Sequence, residues 1–511
     1  MIRRWAAPLL LAICCATVVI ATLEPYGVTF DENHYFRAGT SYLNWLRDPS
    51  LKTIDRQWYR THEHPPLAMV AGGLTRFLFR DTLGWTGQIV GHRVSTGLFV
   101  FAMTFMLYCF TRKLYGELAA ALATLGLFVM PRVFFHAHLG TLDYPMMTLW
   151  FAVIYSFWLG MWSQAWIYVA ASLVGLALLT KLNAAFLAIP ITLWWVMDRG
   201  PEFLRRWREK DQPFRSLASS LRRKALPLLI IPPILLFALW PWLWLHPLVR
   251  IGEYIGFHAH HFHSKVFYLG ETFSELPWHY PFVMTAATTP LLLLGFFVIG
   301  ALRIRSHGAE RATAFLLFNA LFPLVIIAFP GVPKYDGVRL FLTAFPFISI
   351  LAALGARWII LRPPSRWWRT GLAVSCLLLL LWNAAWPLRR DHPYQFAYYN
   401  RAVGGLAGAS KYFEVDYWGS SYGSLLPWID SHIDSRFWLR FGRLRSRFYV
   451  PDGLVESKIK LGSEEDSEYL ILLNRRGLFD STIWRYVRTQ RPVHSVKLGE
   501  TPLVSVYRVN P

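Results

Sequence analysis

Charged side chains are scarce in this chain of 511 residues. They account for 16% of the residues, while hydrophobic residues account for 54% and the mean hydropathy is +0.32. Soluble domains carry roughly 25% charged residues. This scarcity excludes an ordinary soluble protein, and we expect most of the chain to lie in lipid.

Acidic residues are the scarcer of the two charged classes. The chain has 31 Asp and Glu against 52 Lys and Arg, which gives a formal net charge of +21. A nucleic-acid-binding protein would place such an excess in a stripe on a soluble face. Here the basic residues cluster in short segments between apolar runs, an arrangement that orients a protein in a membrane. The sequence therefore predicts membrane lipid, and no nucleic acid, as a partner.

Cysteine is also rare, and nucleotide-binding glycine motifs are missing. The four cysteines are Cys14, Cys15, Cys109 and Cys376, all inside apolar runs and without the spacing of a zinc site or a disulfide framework. We interpret them as small apolar packing residues. The sequence has neither a P-loop nor a Rossmann fingerprint, which agrees with the expectation of no nucleotide cofactor.

Long apolar runs are what the chain has in abundance. The first follows Arg3 and Arg4 and extends to about Leu23, close to the roughly 20 residues that cross a bilayer. Because it is longer than the apolar region of a usual signal peptide and ends without a clear A-x-A cleavage site, it predicts an uncleaved first span. The other runs lie at 90–110, 118–130, 144–161, 165–179, 184–196, 226–245, 282–302, 314–329, 340–356 and 372–386. Length and hydropathy thus predict about eleven transmembrane helices.

The basic residues between these runs predict the orientation of the chain. Arg3 and Arg4 precede the first span, and the loops predicted on the same side contain the basic segments 112–113, 199–224, 303–311 and 357–369. Positive residues accumulate on the cytoplasmic side of membrane proteins. We therefore predict a multi-pass protein of the cell membrane, specifically a bacterial inner membrane. Its N-terminus would be cytoplasmic and its C-terminal part extracytoplasmic.

The composition changes after residue 387. Residues 388–511 mix polar and apolar side chains, with strand-like runs at 469–473 and 503–509 separated by turn signals. A segment of roughly 120 residues suffices for a small domain. The predicted fold is thus an α-helical polytopic membrane domain over residues 1–387, followed by a small extracytoplasmic α/β domain over residues 388–511.

The first outer loop, residues 24–67, is the strongest candidate for a functional site. It opens with the acidic pair Asp31 and Glu32 and closes with Glu63 and His64. Ionisable groups held against a membrane are costly and are candidates for function. The alternative is a solvated loop with interfacial aromatic residues. Two acidic clusters that bracket one loop favour a site.

Other predicted outer loops add polar residues from distant parts of the sequence. They contribute His136, His138, Asp143, His258, His260, His261, His263, Lys265, Lys334, Tyr335, Asp336 and Arg339. Carboxylates at a membrane surface suit general-base catalysis, and cations at the ends of spans suit a phosphate group. Each cation taken alone is also typical of an interfacial anchor. The histidines are of the type that binds metal, but their spacing matches no strong zinc motif.

Four sequence elements resemble the motifs of one superfamily. They are Asp31-Glu32 followed by Tyr35, the run Glu63-His64-Pro65-Pro66-Leu67, Arg93 near the start of the second span, and the TLDYP sequence around Asp143. They resemble the multi-span GT-C glycosyltransferases that take sugars from polyprenyl-phosphate carriers, a superfamily that includes protein O-mannosyltransferases and aminoarabinose transferases. The likeness covers roughly residues 1–200 by motif.

This resemblance implies a polyprenyl-phosphate-linked sugar as donor and a hydroxyl of a protein, lipid or glycan as acceptor. Asp31 would orient or deprotonate that hydroxyl. The resemblance and the outer-loop positions together give the following expected site residues. We expect a catalytic group of Asp31, Glu32, His64 and Asp143, and a phosphate-binding group of Arg93, Lys334 and Arg339.

A divalent metal ion is the one cofactor that the resemblance suggests. In aminoarabinose-transferase relatives the acid before the Pro-Pro pair helps to bind a metal, which corresponds here to Glu63. The accompanying ligands would come from His258, His260, His261 and His263. His64 stands where those relatives carry Lys and matches the mannosyltransferase form, so the acceptor stays open.

A multi-span transporter or a flippase of lipid-linked sugars is the alternative class. Such a protein would also have many spans and charges at the membrane. It predicts ionisable residues deep within spans and inverted hydropathy repeats. In this sequence the charges gather in the outer loops and no such symmetry is visible. The sequence therefore favours a transferase.

Overall fold

The computed structural model of the protein describes residues 3–209, 213–307, 310–433, 437–440 and 467–509, and helices dominate it. The α-helices are α1 (Arg3–Ala21), α2 (Phe30–Arg47), α3 (Ile54–Trp58), α4 (Leu67–Arg76), α5 (Gln88–Tyr115), α6 (Glu117–Phe128), α7 (Pro131–Ala137), α8 (Asp143–Leu159), α9 (Gln164–Leu178), α10 (Ala188–Arg208), α11 (Pro213–Leu239), α12 (Pro247–Ala259), α13 (Tyr280–Thr288), α14 (Leu291–Leu302), α15 (Glu310–Ala328), α16 (Phe345–Leu361), α17 (Arg366–Leu380), α18 (Trp386–Arg390), α19 (Gly405–Ala409), α20 (Leu426–His432) and α21 (Ser481–Thr489). The strands are β1 (Val266–Tyr268), β2 (Glu271–Phe273), β3 (Phe437–Arg440), β4 (Tyr469–Leu473), β5 (His494–Leu498) and β6 (Thr501–Arg508).

Helices occupy the apolar runs that the sequence predicts as spans. Within the described ranges, 4 helical stretches are long and apolar enough to cross a membrane, and 5 if the bent pair α6 and α7 forms one span. The four are Gln88–Tyr115, Glu310–Ala328, Arg339–Leu361 and Arg366–Arg390. Shorter apolar helices lie at Trp5–Ala21, Gln164–Leu178 and Leu291–Leu302. A multi-pass helical protein is therefore confirmed in outline, and the count of eleven stays a prediction.

Proline divides one of the predicted runs and follows the end of another. The run 282–302 forms two helices, α13 and α14, because Pro290 lacks the N–H that would continue the first one. The residue before it, Thr289, has an extended backbone, as proline favours. At Pro131 the chain bends by 73° between α6 and α7. The run 282–302 is therefore two helices in the structure, and its assignment as a span stays a prediction.

Helix α8 lies at the centre of the main core. Nearly all of its side chains are buried, among them Met147, Phe151 and Ile154 at 0% exposure. A helix that is apolar on every side is buried on every side. Its first residue is Asp143, so the central helix delivers a carboxylate to one end of the bundle.

The C-terminal sheet has the strand order β3-β4-β6-β5. Strand β3 runs parallel to β4, and the other two pairs are antiparallel, with Ile471 opposite Val506. The sequence predicted strands at 469–473 and 503–509, and β4 and β6 confirm both. Apolar side chains on one face pack with Ile429 of α20, and those on the other face pack with Ile483 of α21. Whether residues 388–511 form a separate domain stays a prediction.

Candidate active site

The acidic pair at the start of α2 is divided between two surroundings. Thr29 caps the helix, and its side chain and backbone form a capping box with Glu32. Glu32 is fully buried, whereas the side chain of Asp31 is 28% exposed. Adjacent residues on a helix point about 100° apart, so one faces the protein interior and the other a cavity.

Glu32 and Arg93 form a buried, bidentate ion pair. Nε of Arg93 lies 2.7 Å from Oε1 of Glu32, and Nη2 lies 2.7 Å from Oε2. The other guanidinium bonds go to the carbonyl oxygens of Tyr26 and Gly27, and the backbone N–H of Gly140 also donates to Glu32. Both side chains were predicted site residues. Their ion pair links α2 to α5, and neither side chain lines the cavity described next.

Asp31 faces a cavity of about 530 Å³ that gathers residues from many parts of the chain. Six of the predicted site residues line it, namely Asp31, Glu63, His64, His258, His261 and Arg339. Lys181, Tyr335, Asp336, Trp418 and Arg475 line it as well. A larger cavity, of about 700 Å³, lies between Trp386, Arg401 and Glu500, and no predicted site residue lines it. We take the smaller cavity as the candidate site because the ionisable groups converge there.

The guanidinium group of Arg339 is surrounded by carboxylates. Its Nη2 lies 2.9 Å from Oδ2 of Asp31, and its Nη1 lies 2.9 Å from Oδ2 of Asp336. Its Nε lies 3.7 Å from Oδ2 of Asp143. A planar fork of donors suits such oxygen atoms, whether they belong to a carboxylate or to a phosphate. This cluster is the electrostatic centre of the cavity.

Asp143 is held in its charged form by two cations. Nζ of Lys181, just beyond α9, donates to its Oδ1 at 2.8 Å. Burial of Asp143 opposes ionisation, but Lys181 and Arg339 outweigh it and lower the pKa to about 2. Asp143 is therefore a fixed negative charge near neutral pH. Sequence reasoning missed Lys181, although a lone cation between two apolar runs was a visible signal.

Aromatic side chains from separate segments complete the walls. The guanidinium carbon of Arg339 lies 4.6 Å from the ring centre of Trp418 and 5.6 Å from that of Tyr335. Trp418 also accepts a hydrogen bond through its carbonyl from the N–H of Phe30, the first residue of α2, at 3.1 Å. The chain after residue 387 therefore helps to position the helix that carries Asp31.

The predicted histidines fall into two groups. His64, His258 and His261 line the cavity, and burial lowers the pKa of all three, to about 4 for His258. They are therefore neutral near pH 7 and can donate or accept one hydrogen bond at each ring nitrogen. His260 and His263 are exposed and do not line the cavity.

The predicted metal ligands are engaged in other contacts. Nε2 of His258 lies 3.0 Å from the backbone carbonyl oxygen of Glu63, and Nε2 of His261 lies 2.7 Å from the hydroxyl of Tyr335. The carboxylate of Glu63 lies 3.6 Å from Nδ1 of His62. In the part of the chain that the structure describes, no three His, Cys, Asp or Glu side chains are grouped to hold a metal ion. The residues present do not fit the metal site that the resemblance implies.

Lys334, another predicted phosphate ligand, points back into its own loop. Its Nζ donates to the carbonyl oxygens of Phe329 at 2.9 Å and Val332 at 3.1 Å. Its neighbours Pro333 and Tyr335 line the cavity, but Lys334 does not. Of the three predicted phosphate-binding cations, Arg339 is thus the one that the structure brings to the cavity.

The comparisons with known proteins agree with this architecture. Residues 64–210 match the family model described as dolichyl-phosphate-mannose-protein mannosyltransferase. Crystal structures of ArnT from Cupriavidus metallidurans, one bound to undecaprenyl phosphate and one in the apo state, each align with a TM-score of 0.53 and 16% identity. Each alignment covers 98% of this chain and 97% of that one.

A more distant structural match is the Archaeoglobus fulgidus oligosaccharyltransferase in complex with Zn and sulfate. Its TM-score is 0.45 at 13% identity, over 89% of this chain and 58% of that one. No curated protein matches the sequence. The family match over residues 64–210 and the ArnT-like fold over the whole chain confirm the resemblance to the GT-C glycosyltransferase superfamily that the sequence motifs indicate.

Proposed function

We propose that this protein is a membrane glycosyltransferase that moves a sugar from a polyprenyl-phosphate carrier to a hydroxyl of a protein, lipid or glycan. The observation that carries the proposal is the pairing of Asp31 with Arg339 inside a cavity of about 530 Å³. The carboxylate of Asp31 supplies a base, and the guanidinium of Arg339, 2.9 Å away, supplies an anion-binding group. The family description of the matching model and the undecaprenyl phosphate bound to ArnT support the type of donor.

The membrane arrangement belongs to the same proposal. About eleven spans would cross a bacterial inner membrane, with the N-terminus cytoplasmic. Residues 388–511 would then lie outside as a small domain, and the cavity would open at the outer face. The aromatic and apolar side chains that line the cavity beside its charges suit the junction of lipid and water.

Arg339 and Lys181 are the cations assigned to the donor phosphate. As the bond between the anomeric carbon and the phosphate oxygen breaks, negative charge accumulates on the phosphate. A buried guanidinium stabilises that charge more strongly than an exposed one would, because little water competes for it. Arg93 and Lys334 receive no such role, since neither side chain lines the cavity.

Asp31 is assigned as the base. It accepts the proton of the acceptor hydroxyl while the hydroxyl oxygen forms the new bond to the anomeric carbon, on the face opposite the departing phosphate. The fixed charge of Asp143 holds Lys181 and Arg339 in place. No step passes through a metal ion.

The test is a transfer reaction in liposomes. Purified protein is given polyprenyl-phosphate sugars together with membrane acceptors, and the products are identified by mass. Asp31→Asn should lower transfer by about 10²–10⁴, the usual contribution of a general base. Asp48→Asn, an exposed carboxylate of the same outer loop, is the matched control and should transfer at the wild-type rate.

Two outcomes would contradict the proposal. One is an Asp31→Asn protein that folds and transfers sugar as fast as the wild type. The other is a wild-type protein that carries the lipid-linked sugar across the vesicle membrane without transferring it, which would establish the transporter class instead.

A further inference from the structure

A cation from the C-terminal sheet reaches the candidate site. Arg475 lies two residues beyond strand β4, and 7% of its surface is exposed. Its Nη2 lies 2.9 Å from Oδ1 of Asp336, and its Nη1 donates to the carbonyl oxygen of Tyr417 at 2.8 Å. The sheet is thereby joined to the loop that precedes Arg339.

Asp336 is shared between two guanidinium groups. One carboxylate oxygen accepts from Arg475 and the other accepts from Arg339 at 2.9 Å. The residue is 5% exposed and has a φ of 56°, in the left-handed region that non-glycine residues seldom adopt. A buried carboxylate with a partner on each side has one orientation in which both oxygens are satisfied.

The consequence is a continuous row of alternating charges. It runs from Arg475 through Asp336 to Arg339, and from Arg339 to Asp31. We infer that Arg475 is a positioning residue for the candidate active site, which fixes Asp336 and through it the direction of the Arg339 guanidinium. This inference rests on the proposed function, because it assigns the positioned group to the donor phosphate.

The surroundings of Arg475 are consistent with this role. Its Nε lies 3.8 Å from the carboxylate of Glu414, whose pKa burial raises to about 7 although Arg475 acts against the rise. Its Nη2 also donates to the hydroxyl of Ser264 at 3.1 Å. Without Arg475, Asp336 would keep Arg339 as its one guanidinium partner. Both of its oxygens could then turn to Arg339, which would draw Arg339 away from Asp31.

Arg475 could instead serve only to attach the sheet to the helices. A double-mutant cycle separates the two roles. Arg475→Gln is made in the wild type and in an Arg339→Lys background, and kcat/KM is measured for the polyprenyl-phosphate sugar. Arg476→Gln is the matched control, because it removes the same charge from the next residue in the chain. The side chain of Arg476 lies over Phe267 and does not line the cavity.

If Arg475 acts through Arg339, the loss of Arg475 should lower kcat/KM strongly only while Arg339 is intact. We expect Arg475→Gln to lower kcat/KM about tenfold in the wild type and at most about twofold in the Arg339→Lys background, because coupled residues are not additive. Arg475→Lys, which keeps the charge without the planar fork, should lose less than Arg475→Gln. It also replaces Arg475→Gln in the cycle if the glutamine variant does not fold.

An equal loss in both backgrounds would overturn the inference, since a purely structural anchor does not depend on Arg339. So would a loss in Arg476→Gln as large as that in Arg475→Gln. If Arg339→Lys itself transfers sugar like the wild type, the assignment of Arg339 to the donor phosphate and the inference both fail. A wild-type protein that transfers no sugar would contradict the proposed function itself. If Arg339→Lys is impaired while Arg475→Gln is not, the inference alone fails.

Discussion

The carboxylate of Asp31 lies 2.9 Å from Nη2 of Arg339, although Asp31 lies in the first turn of α2 and Arg339 begins the distant helical stretch Arg339–Leu361. Nη2 of Arg339 and Oδ2 of Asp31 are thus each other's partner. A phosphate that binds Arg339 therefore competes with Asp31 for the same nitrogen, and a hydroxyl that approaches Asp31 meets the neighbouring cation. The two proposed roles, base for Asp31 and phosphate ligand for Arg339, are therefore coupled even without substrate.

This coupling predicts opposite effects of Asp31→Asn on two measurable quantities. The transfer rate should fall by about 10²–10⁴, because the amide cannot accept the proton. Donor affinity should hold or rise, because a neutral amide competes less strongly than a carboxylate for the guanidinium. The rate and the dissociation constant of the donor are measured in the same liposomes. A parallel loss of both would show that Asp31 serves donor binding and not catalysis.

Glu32→Gln should damage folding and not chemistry. Removing one charge from a fully buried ion pair leaves Arg93 uncompensated, which costs roughly 3–5 kcal/mol. The midpoint of unfolding in detergent should fall well below that of Asp31→Asn, whose side chain is partly exposed. Arg93→Met combined with Glu32→Gln should recover part of the lost stability. A Glu32→Gln protein that has wild-type stability but transfers sugar slowly would show that Glu32 takes part in catalysis.

The sequence predicted a multi-pass helical protein and the two C-terminal strands, because hydropathy and alternation are local signals. It also selected the loop that carries Asp31, and it placed Asp143 and Arg339 on the same side. It did not show that Asp31 faces the cavity while Glu32 is buried, since the surroundings of each helix face depend on what packs against the helix. Arg475 and Trp418 carried no local signal, because only the fold of the C-terminal part brings them to the cavity.

Removal of divalent metal should leave sugar transfer unchanged. The side chains of His258 and His261 already bond to Glu63 and Tyr335, so binding of a metal would have to break those contacts. The measurement is the transfer rate after dialysis against a chelator, with elemental analysis of the same sample. Near-stoichiometric metal, together with activity that falls with chelator and returns with metal, would contradict this prediction.

The predicted orientation has its own test. A reporter fused after residue 511 should be active only outside the cytoplasm, and one fused near Glu209 only inside it. The reason is the basic segment 199–224, which favours the cytoplasmic side. Activity of both fusions on the same side would overturn the predicted count of spans.

Lys181→Met should make sugar transfer sensitive to mild acid. In the wild type the pKa of Asp143 is lowered from its ordinary value of 3.8 to about 2, so its charge stabilises the folded protein above pH 3.8 and that stabilisation is lost as the pH falls towards 2. The largest single influence on Asp143 is burial, which raises its pKa, and Lys181 is the main group that opposes it. Without Lys181 the pKa of Asp143 should rise, and a larger fraction of Asp143 would be protonated at mildly acidic pH.

The pH–rate profile of transfer in liposomes measures this shift. The acid limb of the Lys181→Met profile should move to higher pH, because protonated Asp143 no longer holds Arg339 by charge. Lys411→Met, which removes an exposed cation far from Asp143 in the sequence, is the control and should keep the wild-type profile. An unchanged acid limb in a folded Lys181→Met protein would mean that Arg339 alone keeps Asp143 ionised, and that Lys181 acts on the substrate and not on its neighbouring carboxylate.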